Sequence, residues 1–541
     1  MTDEVTDGVT VPIPGDDPGL DRLADAILIP PFGGHAAPDW VLAALRDGLG
    51  GVTVFGPNIA DHAQLAALTA RLRSAAAEPL IAIDEEGGDV TRIGHLTGSR
   101  YPGNAALGAV DDLVLTQAVY RALGADLAAL GINVDLAPSV DVNTAADNPV
   151  IGTRSFGADT GLVARHAAAA VTGLQAAGVA ACAKHFPGHG STRTDTHDSI
   201  ATVNVSLSLL AQRDLPPFTA AIAAGVRAIM PGHLRVPELT GDLPASLSAA
   251  AQTGLLRAEL GFTGVILSDA LEMRAVSEPF GIPEAAVRAV MAGTDLLCFG
   301  RDQDRLTYLA VRDALVDAVV SGRMPSSRLE DAAARVAELR AWTALGPAAD
   351  ITASGISAVR LLGAPPAGDG QAAPPGGPGL SSPREESAAD GVNVGLMAAR
   401  RAVRVASGLT RPLRRPVLLE VVPPPNMAVG DVPWGLGHWV SADSIVRVAV
   451  GAPASDLAAA ADTALAAAAD RSLVVVVRDA HRHQATRDTV TRLLKARPDT
   501  VVVEMGLPVW RPPSGAYVAT YGAAEASGLA AAEVLGLATP V

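Results

Sequence analysis

Residues 180–198 read AACAKHFPGHGSTRTDTHD and combine a short apolar strand with an abrupt change to a polar loop. The apolar start predicts a β-strand over Ala180–His185. Pro187, Gly188 and Gly190 then exclude a helix, so the strand must end in a loop. The chain therefore delivers a run of histidines and aspartates to the carboxyl end of a buried strand.

The same unit of apolar strand and polar connection recurs over residues 21–348. We predict eight strands there: Ala26–Pro30, Val52–Phe55, Leu80–Asp84, Asn133–Leu136, Ala180–His185, Ala228–Pro231, Val265–Asp269 and Asp295–Cys298. Between them, Asp61–Ala77, Asp112–Leu130 and Thr160–Ala177 carry apolar residues at helical spacing. Such alternation is typical of a parallel sheet covered by helices on both faces. Eight units predict a TIM-type (β/α)₈ barrel, and an open doubly wound sheet is the alternative that strand counting leaves open.

Composition divides the 541-residue chain into four parts. Residues 1–20 form an N-terminal tail and residues 21–348 the barrel domain. Residues 349–395 are predicted to be a partly flexible linker, because this stretch is dense in Pro, Gly and Ser. Residues 396–541 resume the alternation and predict a smaller α/β domain. Its predicted elements are the helix Ala485–Ala496 and the strands Val417–Val421, Ile445–Val450, Leu473–Val477, Val501–Glu504 and Tyr517–Thr520.

The bulk composition argues against several classes of partner. The net charge of −16 disfavours nucleic acid, which needs a basic stripe for its phosphates. No segment reaches the roughly 18 uninterrupted apolar residues of a membrane-spanning helix, so no membrane partner is expected. The acidic N-terminus lacks the features of a secretory signal, and Cys182 and Cys298 stand outside any CxxC pattern. We expect a reducing compartment, the cytoplasm.

Polar side chains of the first domain follow the predicted strands rather than being scattered. In a (β/α)₈ barrel the carboxyl ends of the strands converge on one rim, so these groups are expected to share one pocket. A polar residue after one strand is ordinary surface, but repetition after several strands indicates a site. The residues concerned are Asp84, Lys184, His185, His233 and Asp269.

The loop after the fifth predicted strand carries five side chains suited to chemistry: His185, His189, Asp195, His197 and Asp198. A metal site is one interpretation, although no fixed spacing such as HExxH is present. A structural loop with satisfied histidines is the second. The third is a dyad in which Asp195 orients His197 for proton transfer. Residues two apart in an extended loop project to the same side, which makes that pairing geometrically feasible.

Asp269, in the segment GVILSDALEM, needs a separate interpretation. A carboxylate at a strand end can act as a nucleophile, accept a hydrogen bond from a substrate, or pair with a structural cation. The residues alone leave these three roles open.

Several motifs in order resemble glycoside hydrolase family 3, specifically its β-N-acetylglucosaminidase (NagZ-like) branch. The most specific is KHFPGHG followed by DTH, and others are IDEEGG with Arg92, DLAPSVDVN, NPVIGTRSFG, MPGHLRVPEL, PASLS and LGFTGVILSDALEM. The resemblance covers residues 20–345. The C-terminal part resembles, more loosely, the α/β sandwich domain of the longer family members.

The resemblance implies a (β/α)₈ barrel and a two-step retaining mechanism. It gives Asp269 the role of nucleophile, His197 that of general acid/base, and Asp195 that of orienting His197. One nucleophile and one proton donor flanking the scissile bond is the usual scheme, with a histidine in place of the second carboxylate. No metal or organic cofactor is required. The implied substrate-binding residues are Asp84, Arg92, Arg154, Lys184 and His185, with His233 near the same rim.

The activity that the resemblance implies is an exo-β-N-acetylglucosaminidase (a β-N-acetylhexosaminidase). Its substrate would be a small carbohydrate such as a GlcNAc–MurNAc fragment, in peptidoglycan recycling. A phosphorylase with the same site is a second hypothesis, because an imidazole tolerates an incoming phosphate better than a carboxylate does. A sugar-binding protein without catalysis is the third, and the joint presence of Asp269, Asp195 and His197 argues against it.

The sequence departs from the family pattern at Asp89, where arginine is frequent, and this predicts altered contacts beyond the first sugar. In the second domain, residues 478–483 (RDAHRH) follow a predicted strand. Ligands bind at such strand ends in open sheets. A polar connection from strand to helix is the favoured interpretation.

Overall fold

The computed structural model describes residues 18–193, 200–347, 394–406, 408–409, 413, 415–424 and 428–538. Most of the predicted tail and linker lies outside these residues. So do Asp195 and His197, the residues of the predicted dyad.

Eight parallel strands form the first domain, and all eight overlap the predicted ones. They are β1 (Leu28–Ile29), β2 (Gly51–Val54), β3 (Leu80–Ile83), β4 (Val134–Asp135), β5 (Ala180–Phe186), β6 (Ala228–Pro231), β7 (Val265–Ile266) and β8 (Leu297–Cys298). Strands β2 to β7 pair in chain order, each parallel to the next.

The remaining contacts close this sheet into a ring. Strand β1 pairs with β8 in parallel, and a bridge between Leu267 and Leu296 joins β7 to β8. The N–H of Thr53 donates to the carbonyl of Pro30 at 3.2 Å and joins β2 to β1. The predicted (β/α)₈ barrel is confirmed, and the open doubly wound alternative is wrong. A further parallel pair joins Ala201–Thr202 to Leu234–Arg235. The sequence does not predict these two strands, because two residues are too few to show an alternating pattern.

Helices surround the barrel, and side-chain caps fix several of their first residues. Asp61, Asp112 and Asp159 each accept a hydrogen bond from a backbone N–H three residues later. The predicted helices at Asp61 and Asp112 therefore begin one residue later than expected, since each aspartate is the cap. No helix in the described part of the chain is long and apolar enough to cross a membrane.

The helices of the first domain are Pro18–Ala26, Asp39–Asp47, His62–Arg73, Asn104–Val110, Leu113–Ala129, Thr160–Ala176, Leu207–Arg213, Leu215–Ala223, Pro237–Thr240, the π-helical Ala250–Glu259, Arg274–Phe280, Ile282–Ala292, Arg305–Val320 and Ser326–Ala344. Those of the second domain are 394–402, Ala454–Ala467, Gln484–Ala496 and Glu525–Leu535.

The second domain contains a six-stranded sheet between two layers of helices. Its strands are β9 (Arg404–Ala406), β10 (Val417–Val422), β11 (Ile445–Ala449), β12 (Leu473–Val477), β13 (Val501–Glu504) and β14 (Ala516–Ala519). They lie in the order 9-14-13-12-10-11, and β9 alone of these six is antiparallel to its neighbour. The predicted α/β sandwich is therefore present. Strand β9 was missed because it is short, contains arginine and lies largely exposed.

Alternate residues of the central strands pack on opposite faces of this sheet. Val475 packs with the helices Ala454–Ala467 and Gln484–Ala496. Val474 and Val476 pack with the helix Glu525–Leu535. Buried alternation of this kind explains why β12 is an uninterrupted apolar run.

The helix over residues 394–402 packs against both domains. Ala398 belongs to the apolar core of the barrel. Leu396 and Ala399 pack with Ala526 and Ala530 of the second domain. This helix therefore joins the two cores, and its first two residues fall within the predicted linker.

Candidate active site

A cavity of about 470 Å³ opens at the carboxyl ends of the barrel strands. The barrel brings together around it six of the nine residues named from the sequence. They are Asp84, Arg92, Arg154, Lys184, His185 and Asp269.

A network of ion pairs forms one side of the cavity. Lys184 Nζ lies 2.6 Å from Asp84 and 2.7 Å from Glu86. Glu86 accepts two hydrogen bonds from the Arg154 guanidinium, at 2.6 and 2.9 Å. Arg92 pairs with the second oxygen of Asp84 at 2.8 Å. Since every member is fixed by another, these side chains are held in place before any ligand binds.

The charges in this network stabilise one another. Burial alone would raise the pKa of Glu86, but Arg154 and Lys184 hold it well below its usual range. Burial would lower the pKa of Lys184, and Asp84 with Glu86 hold it above its usual range instead. Glu86 and Lys184 are therefore both charged at neutral pH. Fixed donors beside fixed acceptors are what recognition of a polyhydroxyl ligand requires.

His185 is oriented by a buried carboxylate, Asp141. The His185 Nδ1 lies 2.8 Å from Asp141 Oδ2, and the other ring nitrogen lies 3.4 Å from Arg154. Burial would raise the pKa of Asp141, but His185 lowers it. A charged Asp141 holds the proton of the ring on Nδ1. The other nitrogen, Nε2, faces Arg154 and the ion-pair network.

Asp269 follows β7 and its half-buried carboxylate lines the cavity. One of its oxygens accepts a hydrogen bond from the Ala270 N–H at 2.8 Å. His233 does not line the cavity, contrary to its expected contact with substrate. Its ring bonds Ser246 Oγ at 2.6 Å and the Ala270 carbonyl at 2.9 Å. His233 therefore positions the segment directly after Asp269.

The loop expected to carry the acid/base is described up to residue 193. His189 lies in this part, lines the cavity and bonds Thr192 Oγ1 at 2.6 Å. Burial and the neighbouring His185 lower the pKa of His189 to about 4, so its ring is neutral at pH 7. Among the described residues, no group of three or more histidines, cysteines and carboxylates could hold a metal ion.

The second domain supplies one wall of the cavity. Residues 428–432 line it, and the carbonyl of Ala428 accepts a hydrogen bond from Arg92 at 2.9 Å. Residues of both domains therefore line the cavity.

Asp89 connects the two domains beside this wall. One oxygen lies 2.8 Å from Arg478 of the second domain and 2.6 Å from the hydroxyl of Thr153. The other accepts the N–H of Ala523 at 2.7 Å. His481 bonds the barrel carbonyl of Ala146 at 2.6 Å. The departure from the family pattern at Asp89 therefore serves domain docking, and Asp89 is not among the residues that line the cavity.

Comparison with known proteins agrees with this geometry. A sequence model of the glycosyl hydrolase family 3 N terminal domain matches residues 37–339. The chain belongs to glycosyl hydrolase family 3. It is 36% identical to β-hexosaminidase A of Pseudoalteromonas piscicida over 321 residues, which are 54% of either chain. It is 38% identical to β-hexosaminidase LpqI of Mycobacterium tuberculosis over 266 residues, 48% of this chain and 67% of LpqI.

A solved family 3 structure matches nearly the whole chain. It is a β-N-acetylglucosaminidase from Paenibacillus sp. str. FPU-7, with a TM-score of 0.78 and 32% identity, and 95% of this chain and 96% of that one are covered. These findings confirm the predicted membership of glycoside hydrolase family 3 and the resemblance to its NagZ-like branch. The chain spans about half the length of the P. piscicida relative.

Sequence reasoning missed three parts of this family 3 site. Glu86 and Asp141 lie in motifs that were noted, IDEEGG and DLAPSVDVN, and a buried carboxylate shortly after a strand is the signal that could have selected them. Residues 428–432 contribute mainly backbone and small side chains. They match none of the motifs noted in the sequence, and only the docked domains show that they line the cavity.

The first prediction concerns domain docking. Asp89→Ala removes a buried interdomain carboxylate and leaves Arg478 unpaired, which is strongly destabilising. Amide hydrogen exchange at residues 478–481 and 523–526 should become at least tenfold faster. A tenfold change corresponds to a loss of roughly 1.4 kcal/mol in the free energy of local opening. Arg401→Ala is the matched control, since it breaks a more exposed interdomain pair with Asp112 and should change exchange far less. Equal effects of the two variants would contradict the docking role.

The second prediction concerns Glu85, which accepts hydrogen bonds from the N–H groups of Arg92 and Ile93 at 2.6 and 3.0 Å. Burial raises its pKa from 4.5 to about 7. The folded protein therefore binds this proton more tightly than the unfolded one, and stability is lost as pH rises through that interval.

Glu85→Gln should remove this loss of stability at rising pH, because glutamine does not titrate. The free energy of unfolding of the variant, relative to the unsubstituted protein, should rise by about 3 kcal/mol between pH 4.5 and 8. Chemical denaturation at several pH values measures it. Glu338→Gln, on the exposed face of the helix Ser326–Ala344, is the control. Parallel pH profiles for Glu85→Gln and the unsubstituted protein would show that Glu85 is not the titrating group.

Proposed function

We propose that the protein is a retaining exo-β-N-acetylglucosaminidase that releases GlcNAc from small β-linked substrates. GlcNAc–MurNAc fragments of peptidoglycan are the substrates we favour, which gives the reaction a place in cell-wall recycling. The observation that carries the proposal is the shared cavity, in which the Asp269 carboxylate faces the same space as the Asp84–Lys184–Glu86–Arg154 network. The printed descriptions of the family 3 relatives, which are β-hexosaminidases and a β-N-acetylglucosaminidase, support it.

In the proposed first step, a carboxylate oxygen of Asp269 forms a bond to the anomeric carbon of GlcNAc. The bond from that carbon to the aglycone oxygen breaks, and His197 donates its proton to the leaving oxygen. Asp195 keeps the imidazole correctly oriented and favours its protonated form. In the second step, His197 takes a proton from water, and the water oxygen displaces Asp269. GlcNAc leaves with its original anomeric configuration.

The ion-pair network would hold the sugar for this chemistry. We assign Asp84, Arg92, Arg154, Lys184 and His185 to the hydroxyl and acetamido groups of GlcNAc. Because the network members pair with one another at 2.6 to 2.8 Å, binding requires little reorganisation, which favours a reactive geometry. The wall of residues 428–432 limits the cavity on the second-domain side and favours removal of a terminal sugar.

The third prediction separates this activity from its alternatives. Aryl β-N-acetylglucosaminide and the matching β-glucoside are incubated with the enzyme, with and without phosphate, and the products are identified. Preference for the N-acetyl sugar, with free GlcNAc in both buffers, is expected. GlcNAc-1-phosphate formed only with phosphate would make the protein a phosphorylase. Absence of turnover would favour a sugar-binding protein.

The fourth prediction tests the assigned proton donor. His197→Ala should slow hydrolysis of GlcNAc–MurNAc by about 10²–10⁴-fold, because the sugar leaving group needs protonation. An activated aryl glycoside leaves without it and should be slowed much less. Asp269→Asn serves as the comparison, since loss of the nucleophile should slow both substrates. Equal slowing of both substrates by His197→Ala would contradict its role as acid.

A further inference from the structure

A chain of buried polar side chains connects the start of β8 to the segment that follows Asp269. Its members are His233, Ser246, Gln252 and Thr294, and each is at most 1% exposed. They are not among the residues that line the cavity, so they act on a bound sugar only through other groups. We propose that His233 is a positioning residue that sets the Asp269 carboxylate for attack, and that Ser246 and Gln252 hold His233 in place.

This inference rests on the proposed function, because it takes Asp269 as the nucleophile of that reaction. The residue before Asp269 is fixed by β8. The N–H of Ser268 donates to the carbonyl of Leu296 at 2.9 Å, and the Ser268 hydroxyl accepts the N–H of Cys298 at 2.8 Å. The residue after Asp269 has no such strand beside it and is fixed by His233 instead.

Hydrogen-bond chemistry determines which nitrogen of His233 carries the proton. The carbonyl of Ala270 can only accept, so Nε2, which lies 2.9 Å away, donates to it. The neutral ring then accepts at Nδ1 from the Ser246 hydroxyl, 2.6 Å away. The N–H of Ala270 in turn donates to Oδ1 of Asp269 at 2.8 Å. Ala270 therefore receives a bond from His233 and gives one to the carboxylate.

Ser246 is itself held at both ends of its backbone. Its N–H donates to the carbonyl of Gly232 at 3.3 Å, and its carbonyl accepts a hydrogen bond from Gln252 Nε2 at 2.7 Å. The other end of the Gln252 amide accepts the hydroxyl of Thr294 at 2.9 Å. Gln252 lies in the π-helical segment Ala250–Glu259, and π-helical turns are frequent at functional sites.

The hydrogen bonds of this chain all run in one direction, from Thr294 toward Asp269. Aligned bonds polarise one another, and in a buried setting each is stronger than it would be in water. The chain therefore resists rotation of the backbone at Ala270 and, with it, of the Asp269 carboxylate. Such resistance has a kinetic consequence, because a misplacement of about 1 Å in a reacting group slows a reaction by about 10²-fold.

The test begins with substitutions of His233 and Ser246. His233→Leu removes both ring bonds and should lower kcat for an aryl β-N-acetylglucosaminide by about 10²-fold. Inhibition by GlcNAc should change little, since the ion-pair network that we assign to the sugar is untouched. His233→Gln keeps an amide donor near the position of Nε2 and should recover most of the lost kcat. Ser246→Ala should lower kcat about tenfold, as loss of one buried hydrogen bond predicts.

His166→Leu is the matched control for loss of a buried histidine. His166 is fully buried, and its ring bonds Thr116 at 2.9 Å and Asp111 at 3.1 Å. It is not among the residues that line the cavity. His166→Leu should lower the free energy of unfolding, measured by chemical denaturation, and leave kcat of the folded enzyme unchanged.

A double substitution separates positioning of Asp269 from a general structural effect. In Asp269→Gly, azide replaces the carboxylate as the group that attacks the anomeric carbon of an activated aryl glycoside, which should restore turnover. Adding His233→Leu should leave this azide-supported rate nearly unchanged, because the carboxylate that His233 positions is already gone.

Two outcomes would overturn the inference while the proposed function stands. One is a kcat of His233→Leu equal to that of His166→Leu. The other is a loss of the azide-supported rate as large as the loss that His233→Leu causes in the unsubstituted background. If the unsubstituted protein hydrolyses no β-N-acetylglucosaminide, the proposed function fails, and this inference fails with it.

Discussion

The site depends on one buried carboxylate, Glu86, and on the two cations that it holds. Burying a single charge is costly, and a buried pair is favourable only when its geometry and hydrogen bonds are good. Glu86 meets that condition by a two-point contact with Arg154 and a third contact with Lys184. The loops after β3 and β4 and the end of β5 are thereby fixed relative to one another. Asp84 and Arg92 extend the same network to the cavity surface.

The second constraint is the fixed relation between the two domains. Asp89 reaches Arg478 and the Ala523 N–H, while Arg92 reaches the carbonyl of Ala428. Both aspartate contacts come from the IDEEGG loop that also supplies Asp84 and Glu86. A single barrel loop therefore contributes to the ion-pair network of the cavity and docks the domain that completes the cavity wall.

The sequence was sufficient for the barrel because each β/α unit carries its own signal. Apolar runs such as Leu80–Ile83 bounded by polar residues predict buried strands, and aspartate caps such as Asp159 mark helix starts. Element ends shifted by one residue where the predicted first residue was the cap itself. Strand β9 has no apolar run that could predict it. It lies largely exposed and is held in the sheet by its pairing with β14.

The sequence placed a polar residue at the cavity where that residue directly follows a strand, and did not where tertiary contacts decide the position. Lys184 and Asp269 follow strands and lie at the cavity. His233 also follows a strand, yet its two ring nitrogens are occupied by Ser246 and Ala270. The roles of Asp89 and residues 428–432 depend on domain docking, and no local pattern in a sequence encodes the partner across an interface.

The most direct test of the account is to identify the carboxylate that bonds to the sugar. A 5-fluoro β-N-acetylglucosaminyl fluoride slows breakdown of a glycosyl-enzyme intermediate, so the labelled protein can be digested and examined by mass spectrometry. One sugar should be found attached to Asp269. Attachment to another carboxylate of the cavity lining, such as Glu272, or release of inverted product without any attachment, would show that Asp269 is not the nucleophile.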